Sequence, residues 1–306
     1  MTNLLANLEK EDYMRHNLKK YCILCRNKRF TIISNSVRDS KKHKIIKCLK
    51  CGHFQIYPIP SKSEYMRFYD KNMQMKNIGQ TEDIAKLETL SKCDIIRRSK
   101  IVSDLINSGS ILDIGAGHGF FVKNMINKGY AILGTEISQN KIPESLKNYI
   151  LNIDVLNNKV ILKNKDCITL FFLLEHLVDP IKACKLIRSM LSPGGVVVIE
   201  VPNLNCSLMK INKSYRKFFW QTAHVSYFND ESLKAVLKKA GYNKIEILYH
   251  QRYSIDNFMN WMINNKPQID NPSFKKPLRY GKLDEAYRSN LIAKGESDTL
   301  IAIARI

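Results

Sequence analysis

Ile111-Leu112-Asp113-Ile114-Gly115-Ala116-Gly117-His118-Gly119 is the stretch on which the reading of this chain turns. Ile111 to Ile114 has the apolar character of a buried parallel strand. The glycines allow a sharp turn and a close approach of backbone to ligand, and Phe120 to Lys128 is expected to be the helix that follows. A second strand, Tyr130 to Gly134, then delivers Glu136, seventeen residues after Gly119, at its carboxyl end. A carboxylate there can accept hydrogen bonds from both hydroxyls of a ribose, so the stretch reads as a turn for a nucleoside.

G-x-G-x-G by itself is shared with other nucleotide-binding turns, and the order of the segments downstream narrows the reading. A strand ends at Glu175-His176, a helix follows, and Leu191-Ser192-Pro193-Gly194-Gly195 leads into the strand Val196 to Val201, which stops at Pro202-Asn203. Strand and helix alternate from 110 to 201, the pattern of a parallel, doubly wound sheet. Asn229 is expected to cap a helix running from Ser232 to Ala240 and ending at Gly241. Lys244 to Tyr249 and Asp298 to Ile306 are expected to be the last two strands.

The segments LDIGAGHG, LEHLVDP and LSPGGVVVIEVPN, in that order, resemble the class I S-adenosylmethionine-dependent methyltransferase family across roughly residues 90 to 250. The resemblance implies an α/β, Rossmann-like sheet of seven strands whose last strand is antiparallel and slots into the sheet. It also implies S-adenosyl-L-methionine as methyl donor. The expected cofactor residues are Gly115, Gly117 and Gly119 of the turn, Asp113 near the methionine moiety, Glu136 on the ribose and Asp154 at the adenine amino group. Asn152 shares the short segment that carries Asp154.

Methyl transfer is an in-line displacement, so an enzyme must align donor and acceptor and remove a proton if the acceptor is a hydroxyl or an acidic carbon. Imidazole suits that proton transfer, because it exchanges protons near neutrality. The resemblance puts His176 and His224 on the acceptor side and leaves open which of them is the base. Glu175 is expected to orient His176 or touch the substrate, Tyr227 to help position an acceptor, and His118 to shape the cofactor loop.

Cys22/Cys25 and Cys48/Cys51 are two C-x-x-C pairs separated by 22 residues. Two knuckles of this kind complete the four-thiolate shell that structural zinc prefers. A redox dithiol needs one pair only, and a cytoplasmic setting disfavours disulfides. The site is therefore expected to hold structural Zn2+ in a ribbon-like module, whose metal substitutes for the core that so short a segment cannot build. His43 and His53 are expected to be surface residues, and Cys167 and Cys184 ordinary buried thiols. The expected domains are a zinc module over 1–60, a helical linker region over 61–108, including Tyr65 to Tyr69 and Ile84 to Leu105, and the methyltransferase domain over 109–306. Within the last, 251–297 is read as a substrate cap.

Composition bounds the partners. No apolar run is long enough to span a membrane, and the N-terminus lacks a signal-like apolar region, which gives the expectation of a cytoplasmic protein without membrane insertion. The net charge is +21, and residues 1–60 hold 13 Lys and Arg against 4 Asp and Glu. The excess elsewhere is spread along the chain rather than gathered into one patch.

A zinc module joined to this core resembles bacterial methyltransferases of sugar and glycan pathways. Those that methylate sugar carbon carry a glutamate before the second histidine, where this chain has Ala223, and a further C-terminal domain. The expected acceptor is therefore a hydroxyl of a sugar or nucleotide-sugar in surface polysaccharide biosynthesis, with Arg252 available for an anionic group. The competing reading is an RNA methyltransferase whose basic zinc module binds nucleic acid. Against it stand Leu174-Glu175-His176-Leu177 in place of an N-P-P-Y type motif and the lack of a row of stacking aromatics among the module's lysines. A third class, a cofactor-binding protein without turnover, is disfavoured by the intact turn and Glu136.

Overall fold

The computed structural model describes residues 21–61, 63–64, 83–156, 162–267 and 277–306. Tyr65 to Tyr69, expected to be helical, lies outside them. Among these residues a seven-stranded sheet forms the body of the molecule, in the order β10-β11-β8-β7-β4-β5-β6. Its strands are β4 (Ser110–Ile114), β5 (Ala131–Thr135), β6 (Ile150–Leu151), β7 (Lys165–Phe171), β8 (Leu191–Pro202), β10 (Lys244–His250) and β11 (Thr299–Arg305). The run from β8 to β6 is parallel, while β11 lies antiparallel between β8 and β10. Val196 to Ile199 and Val201 are completely buried, as expected of a strand covered on both faces.

Order along the chain reverses between β4 and β7: the chain proceeds from β4 outward to β6, then returns to β7 and moves the other way. Crevices at the carboxyl ends of strands on either side of such a reversal are where ligands bind in open α/β sheets. The turn after β4 and the Glu175-His176 turn after β7 therefore face the same crevice.

The helices follow from local signals. Helix α1 (Ile84–Leu105) is capped by the Asp83 carboxylate, which accepts from Ala85 and Lys86 N–H. Next come α2 (Phe120–Asn127), α3 (Pro180–Met190), α4 (Ser207–Ile211), α5 (Lys213–Phe219) and α6 (Asp230–Ala240). The cap and stop of α6 match the sequence reading, with the helix starting two residues before the expected Ser232: Asn229 and Ser232 form a reciprocal capping box, and Gly241 ends the helix at φ +94°. In the segment read as a cap, α7 (Ile255–Asn264) packs on α8 (Pro277–Ala293). The aromatic and Met-rich stripe divides there. Trp261 is buried against Tyr215 and Phe218, whereas Met259, Met262 and Ile263 are exposed.

A second sheet, β1-β2-β3-β9, crosses the expected boundary at residue 60. Strands β1 (Phe30–Ser34), β2 (Lys44–Cys48) and β3 (Phe54–Tyr57) belong to the cysteine module, and β9 (Ser226–Tyr227) follows directly after His224 and Val225. Core residues of the module, Ile45 and Ile56 among them, belong to the same buried cluster as Tyr227, Phe228 and Leu233. The module is thus welded to the larger domain. This also corrects the reading of its histidines. His43 and His53 are both buried, and the His53 ring lies 5.8 Å from that of Phe228, because the face of the module that would be solvated in isolation is covered. Burial pushes the His53 imidazole down to about 3, so it is neutral.

Candidate active site

The turn after β4 is built as its glycines require. Gly115, Gly117 and Gly119 all have positive φ, and Gly115 and Ala116 N–H both donate to Thr135 O, at 2.8 and 2.9 Å. A Cβ on Gly119 would stand 2.6 Å from methyls of Leu146 and Ile150, so the position is closed to larger residues. A Cβ on Gly117 would meet nothing within 4 Å, so this is where the backbone lies open to a ligand. Glu136 is buried beside it, accepting from Gly117 N–H at one carboxylate oxygen and Ser138 N–H at the other, each at 2.9 Å. A carboxylate pinned next to the open face of a left-handed glycine turn fits an adenosyl ribose in that place.

Asp113 is buried at the end of β4 and accepts from the Thr169 hydroxyl at 2.6 Å. Burial pushes its carboxyl up to about 6, against the pull of that bond. Beyond β5 and β6 lies a shallow cavity lined by Gln139, Ile142, Lys147, Ile150, Leu151 and Asn152. The Asn152 amide donates to Glu136 O and Ile137 O, which fastens this wall to the segment that carries Glu136. Asp154 lies half-buried two residues further on, outside the lining of that cavity. The His118 ring stacks on Phe120 with centroids 5.6 Å apart, at the head of α2.

Across the crevice, a short 3-10 turn, Leu174–His176, carries Glu175 and His176 off the end of β7. The loop before β9 brings His224 onto them: the two imidazoles meet edge to face with centroids 4.9 Å apart. His176 Nδ1 is 2.8 Å from Ala223 O, and His176 Nε2 is 3.8 Å from a Glu175 oxygen. Val225 N–H donates to Glu175 O, tying the two loops together. All three side chains are buried, and both Glu175 oxygens lack a hydrogen-bond partner. Desolvation pushes Glu175 up to about 8 and His176 down to about 4, so both are uncharged near neutrality. Glu175, His176 and His224 are thus brought together, and the Tyr227 ring lies 5.8 Å from that of His224 with its hydroxyl turned to the backbone. Its hydroxyl donates to Gln221 O and accepts from Gln221 N–H, both at 3.0 Å, which closes the loop that carries His224.

Four charged residues nearby were invisible to the sequence reading. Glu200, fully buried on β8, receives Arg97 Nη2 at 2.6 Å and Arg98 Nε at 2.7 Å from α1. Asp94, also on α1, receives Arg97 and a two-pronged contact from Arg252. Arg252, expected to be available for an anion, is thus engaged within the chain. Its guanidinium also lies 4.6 Å from the ring of Phe172, a non-glycine residue at φ +54° directly after β7. A strained residue at the mouth of a crevice is a recurring mark of a functional site, and the positive φ is legible only in three dimensions.

The four cysteines converge in the module. Their sulfurs all lie within 4.8 Å of one another, with Cys22 to Cys51 and Cys25 to Cys48 at 3.5 Å. That is close to the spacing of about 3.8 Å set by a tetrahedron with 2.3 Å metal–sulfur bonds, and far beyond a disulfide bond. Backbone N–H of Lys50 and the Asn27 amide point at the Cys48 sulfur, as suits a thiolate.

The methyltransferase domain family model matches residues 89–247, just over half of the chain. This chain belongs to that family, and it is an S-adenosylmethionine-dependent methyltransferase. Among solved structures it is similar to a SAM-dependent methyltransferase from Archaeoglobus fulgidus, at 17% identity over 77% of this chain and 99% of that one, with a TM-score of 0.52. A SAM-dependent methyltransferase from Thermotoga maritima, described as a possible histamine N-methyltransferase, is similar at 15% identity over 79% and 97%, with a TM-score of 0.50. No curated protein matches. Among the described residues, no helix is long and apolar enough to cross a membrane.

Proposed function

We propose that this enzyme methylates a hydroxyl of a sugar or nucleotide-sugar in surface polysaccharide biosynthesis, with an acceptor-side histidine as general base. The observation that carries the reading is the buried Glu175, His176 and His224 cluster across the crevice from the glycine turn. A hydroxyl must lose its proton as it attacks, and a buried, neutral imidazole is a suitable group to receive it. When bound, the cofactor supplies an electrophilic methyl group on a sulfonium whose departure leaves a neutral thioether. Gly115, Gly117 and Gly119 would cradle it, Glu136 would hold the ribose, Asp113 would face the methionine end, and Asp154 or the neighbouring Asn152 would contact the adenine.

Cys22, Cys25, Cys48 and Cys51 would hold one structural Zn2+ with no coordination position left for chemistry. The sugar acceptor rests on the resemblance of the zinc module and core to sugar-pathway enzymes.

The test is transfer of label from methyl-labelled S-adenosylmethionine into a host extract separated into small-molecule, glycan and RNA pools. Label in the glycan or nucleotide-sugar pool that survives nuclease is the expected result. Label that disappears with ribonuclease would replace this reading with RNA methylation.

A further inference from the structure

We propose that the two acceptor-side histidines divide the work: His176 takes the acceptor's proton, while His224 is kept neutral by Gln221 and by Arg38, a residue of the cysteine module. The inference rests on the methyl-transfer reading above and assigns roles within it.

A carbonyl oxygen can only accept, so the 2.8 Å contact to Ala223 O requires the hydrogen of His176 on Nδ1. In the neutral ring the basic nitrogen is then Nε2, the atom facing Glu175 at 3.8 Å. Protonation there yields an imidazolium met by oxygen on both sides, the Ala223 carbonyl and the Glu175 carboxyl. Buried Glu175, with no hydrogen-bond partner of its own, is available to stabilise that charge.

His224 shares Glu175 but has a donor where His176 has an acceptor. Gln221 Nε2 lies 2.8 Å from one ring nitrogen and 3.3 Å from the other. Which end of that amide faces the ring is fixed by Arg38: its Nη2 meets Gln221 Oε1, and a guanidinium has no acceptor, so the atom it faces must be oxygen. The end presented to His224 is therefore an NH2 group, which only donates. A protonated His224 would place N–H against N–H, with the Arg38 charge behind. The groups around His224 include His176, Gln221, Arg38 and Tyr227, and the Glu175 carboxyl within 4.8 Å is shared with His176; what sets His224 apart is the Gln221 NH2 group and the Arg38 charge behind it. Those facing His176 include Glu175, Ala223 O and His224, with an electrostatic contribution from Lys141.

Arg38 is itself held firmly. Its backbone N–H donates to Trp220 O and its Nη1 to Phe218 O, while Asp39 accepts from both the N–H and the hydroxyl of Thr222. The loop between β1 and β2 thus grips both sides of Gln221, and Arg38 acts as a positioning residue. In the step itself the acceptor O–H bond breaks and oxygen forms the bond to the methyl carbon as the donor's carbon–sulfur bond breaks, its electron pair staying on sulfur as a neutral thioether, while the proton passes to Nε2 of His176 and then to solvent.

The experiment combines two readouts on the zinc-loaded full chain. The first is NMR titration of 15N-histidine-labelled protein with bound S-adenosylhomocysteine. His176 is expected to charge at higher pH than His224, and Arg38→Met to raise the apparent pKa of His224 by about one unit or more. Arg38→Lys is expected to leave it close to wild type, and all variants should bind S-adenosylhomocysteine as wild type does.

The second readout is label transfer into the acceptor pool. His176→Gln is expected to lose about 100-fold or more in rate. His224→Gln, which keeps a neutral polar side chain, is expected to retain more activity, and Arg38→Met to shift the acid limb of the pH–rate profile. Charging of His224 before His176, or His224→Gln losing more rate than His176→Gln, overturns the assignment while leaving methyl transfer intact. Wild-type protein that labels no pool while the titration order holds overturns the methyl-transfer reading, and with it the proton transfer assigned to His176.

Discussion

Phe54, in the last strand of the cysteine module, stands directly opposite Tyr227, three residues after His224, in an antiparallel pairing that continues through Gln55 and Ser226. Ile56 N–H extends the contact to Val225 O at 3.1 Å. The module's third strand is therefore the neighbour against which the histidine-bearing loop is laid. On the module side Gln55 is buried and reaches back to the first knuckle, accepting from Ile23 N–H and donating to Tyr21 O. A short chain of contacts thus runs from the cysteines to the loop that carries His224.

Removal of the metal should for that reason disturb catalysis as well as stability. Metal analysis is expected to find about one zinc per chain. Cys48→Ser is expected to lower the melting temperature in a single cooperative transition and to cut label transfer at least about tenfold, because loss of the knuckle frees β3 and the loop beside it. A separate melting step for the module, with unchanged turnover, would show that the two parts are independent.

Glu136→Ala should weaken cofactor binding by about 10- to 100-fold in calorimetry, the scale of one or two hydrogen bonds to a charged group. The same carboxylate pins Gly117 and Ser138, so the loss would include slackening of the glycine turn. Unchanged affinity would remove Glu136 from the cofactor site.

Gly119→Ala places a methyl 2.6 Å from side-chain carbons of Leu146 and Ile150, at a φ of +74°. The backbone strain alone is about 1–2 kcal/mol. Thermal unfolding is expected to shift down by several degrees. Gly117→Ala carries similar backbone strain but meets no protein atom, and is expected to show its larger effect on S-adenosylmethionine affinity.

Glu175 provides a pH signature. Its folded pKa is raised by burial to about 8, above that of an unfolded glutamate. Between about pH 6.5 and 8 the unfolded chain has lost this proton while the folded chain keeps it, so the unfolded state binds fewer protons and stability falls as pH rises. Each pH unit in that window costs up to about 1.4 kcal/mol. Glu175→Gln is expected to remove this term. The difference in urea-unfolding free energy between variant and wild type should grow in the variant's favour by roughly 2 kcal/mol from pH 6.5 to 8. A pH-independent difference would place the ionisation of Glu175 elsewhere.

Glu200→Gln should be costly although Glu200 lies outside the expected site. It would leave Arg97 and Arg98 without their buried counter-charge, and removing one partner of a buried ion pair costs about 3–5 kcal/mol. Chemical denaturation measures this directly, and a loss below about 1 kcal/mol would show that water or Asp94 takes over the pairing.

Local pattern made much of this protein legible. The glycine turn needs positive φ, and only glycine adopts it at no cost, so Gly115, Gly117 and Gly119 announce the bend in the sequence. The Asn229 cap and Gly241 stop bound α6 because helix ends leave backbone groups that particular residues satisfy. The two C-x-x-C pairs predicted their own convergence, since each knuckle is a local turn. Where the reading stopped short, the partner was remote in the chain. His53 is buried because Phe228 covers it, Arg252 is engaged because Asp94 lies 158 residues away on α1, and neither fact leaves a trace in the residues around it.

By itself, then, the sequence determined the strand and helix order, the glycine turn, the cysteine pairs and the types of residue carried by the turns after the strands, because each is set by backbone conformation and burial within a short segment. Only the tertiary structure decided that β9 completes the module's sheet, that Arg38 reaches Gln221, and that His176 and His224 sit in unlike surroundings. Whether a buried imidazole takes a proton depends on the donors and acceptors facing it, and here Arg38 and Gln221 are 183 residues apart in the chain.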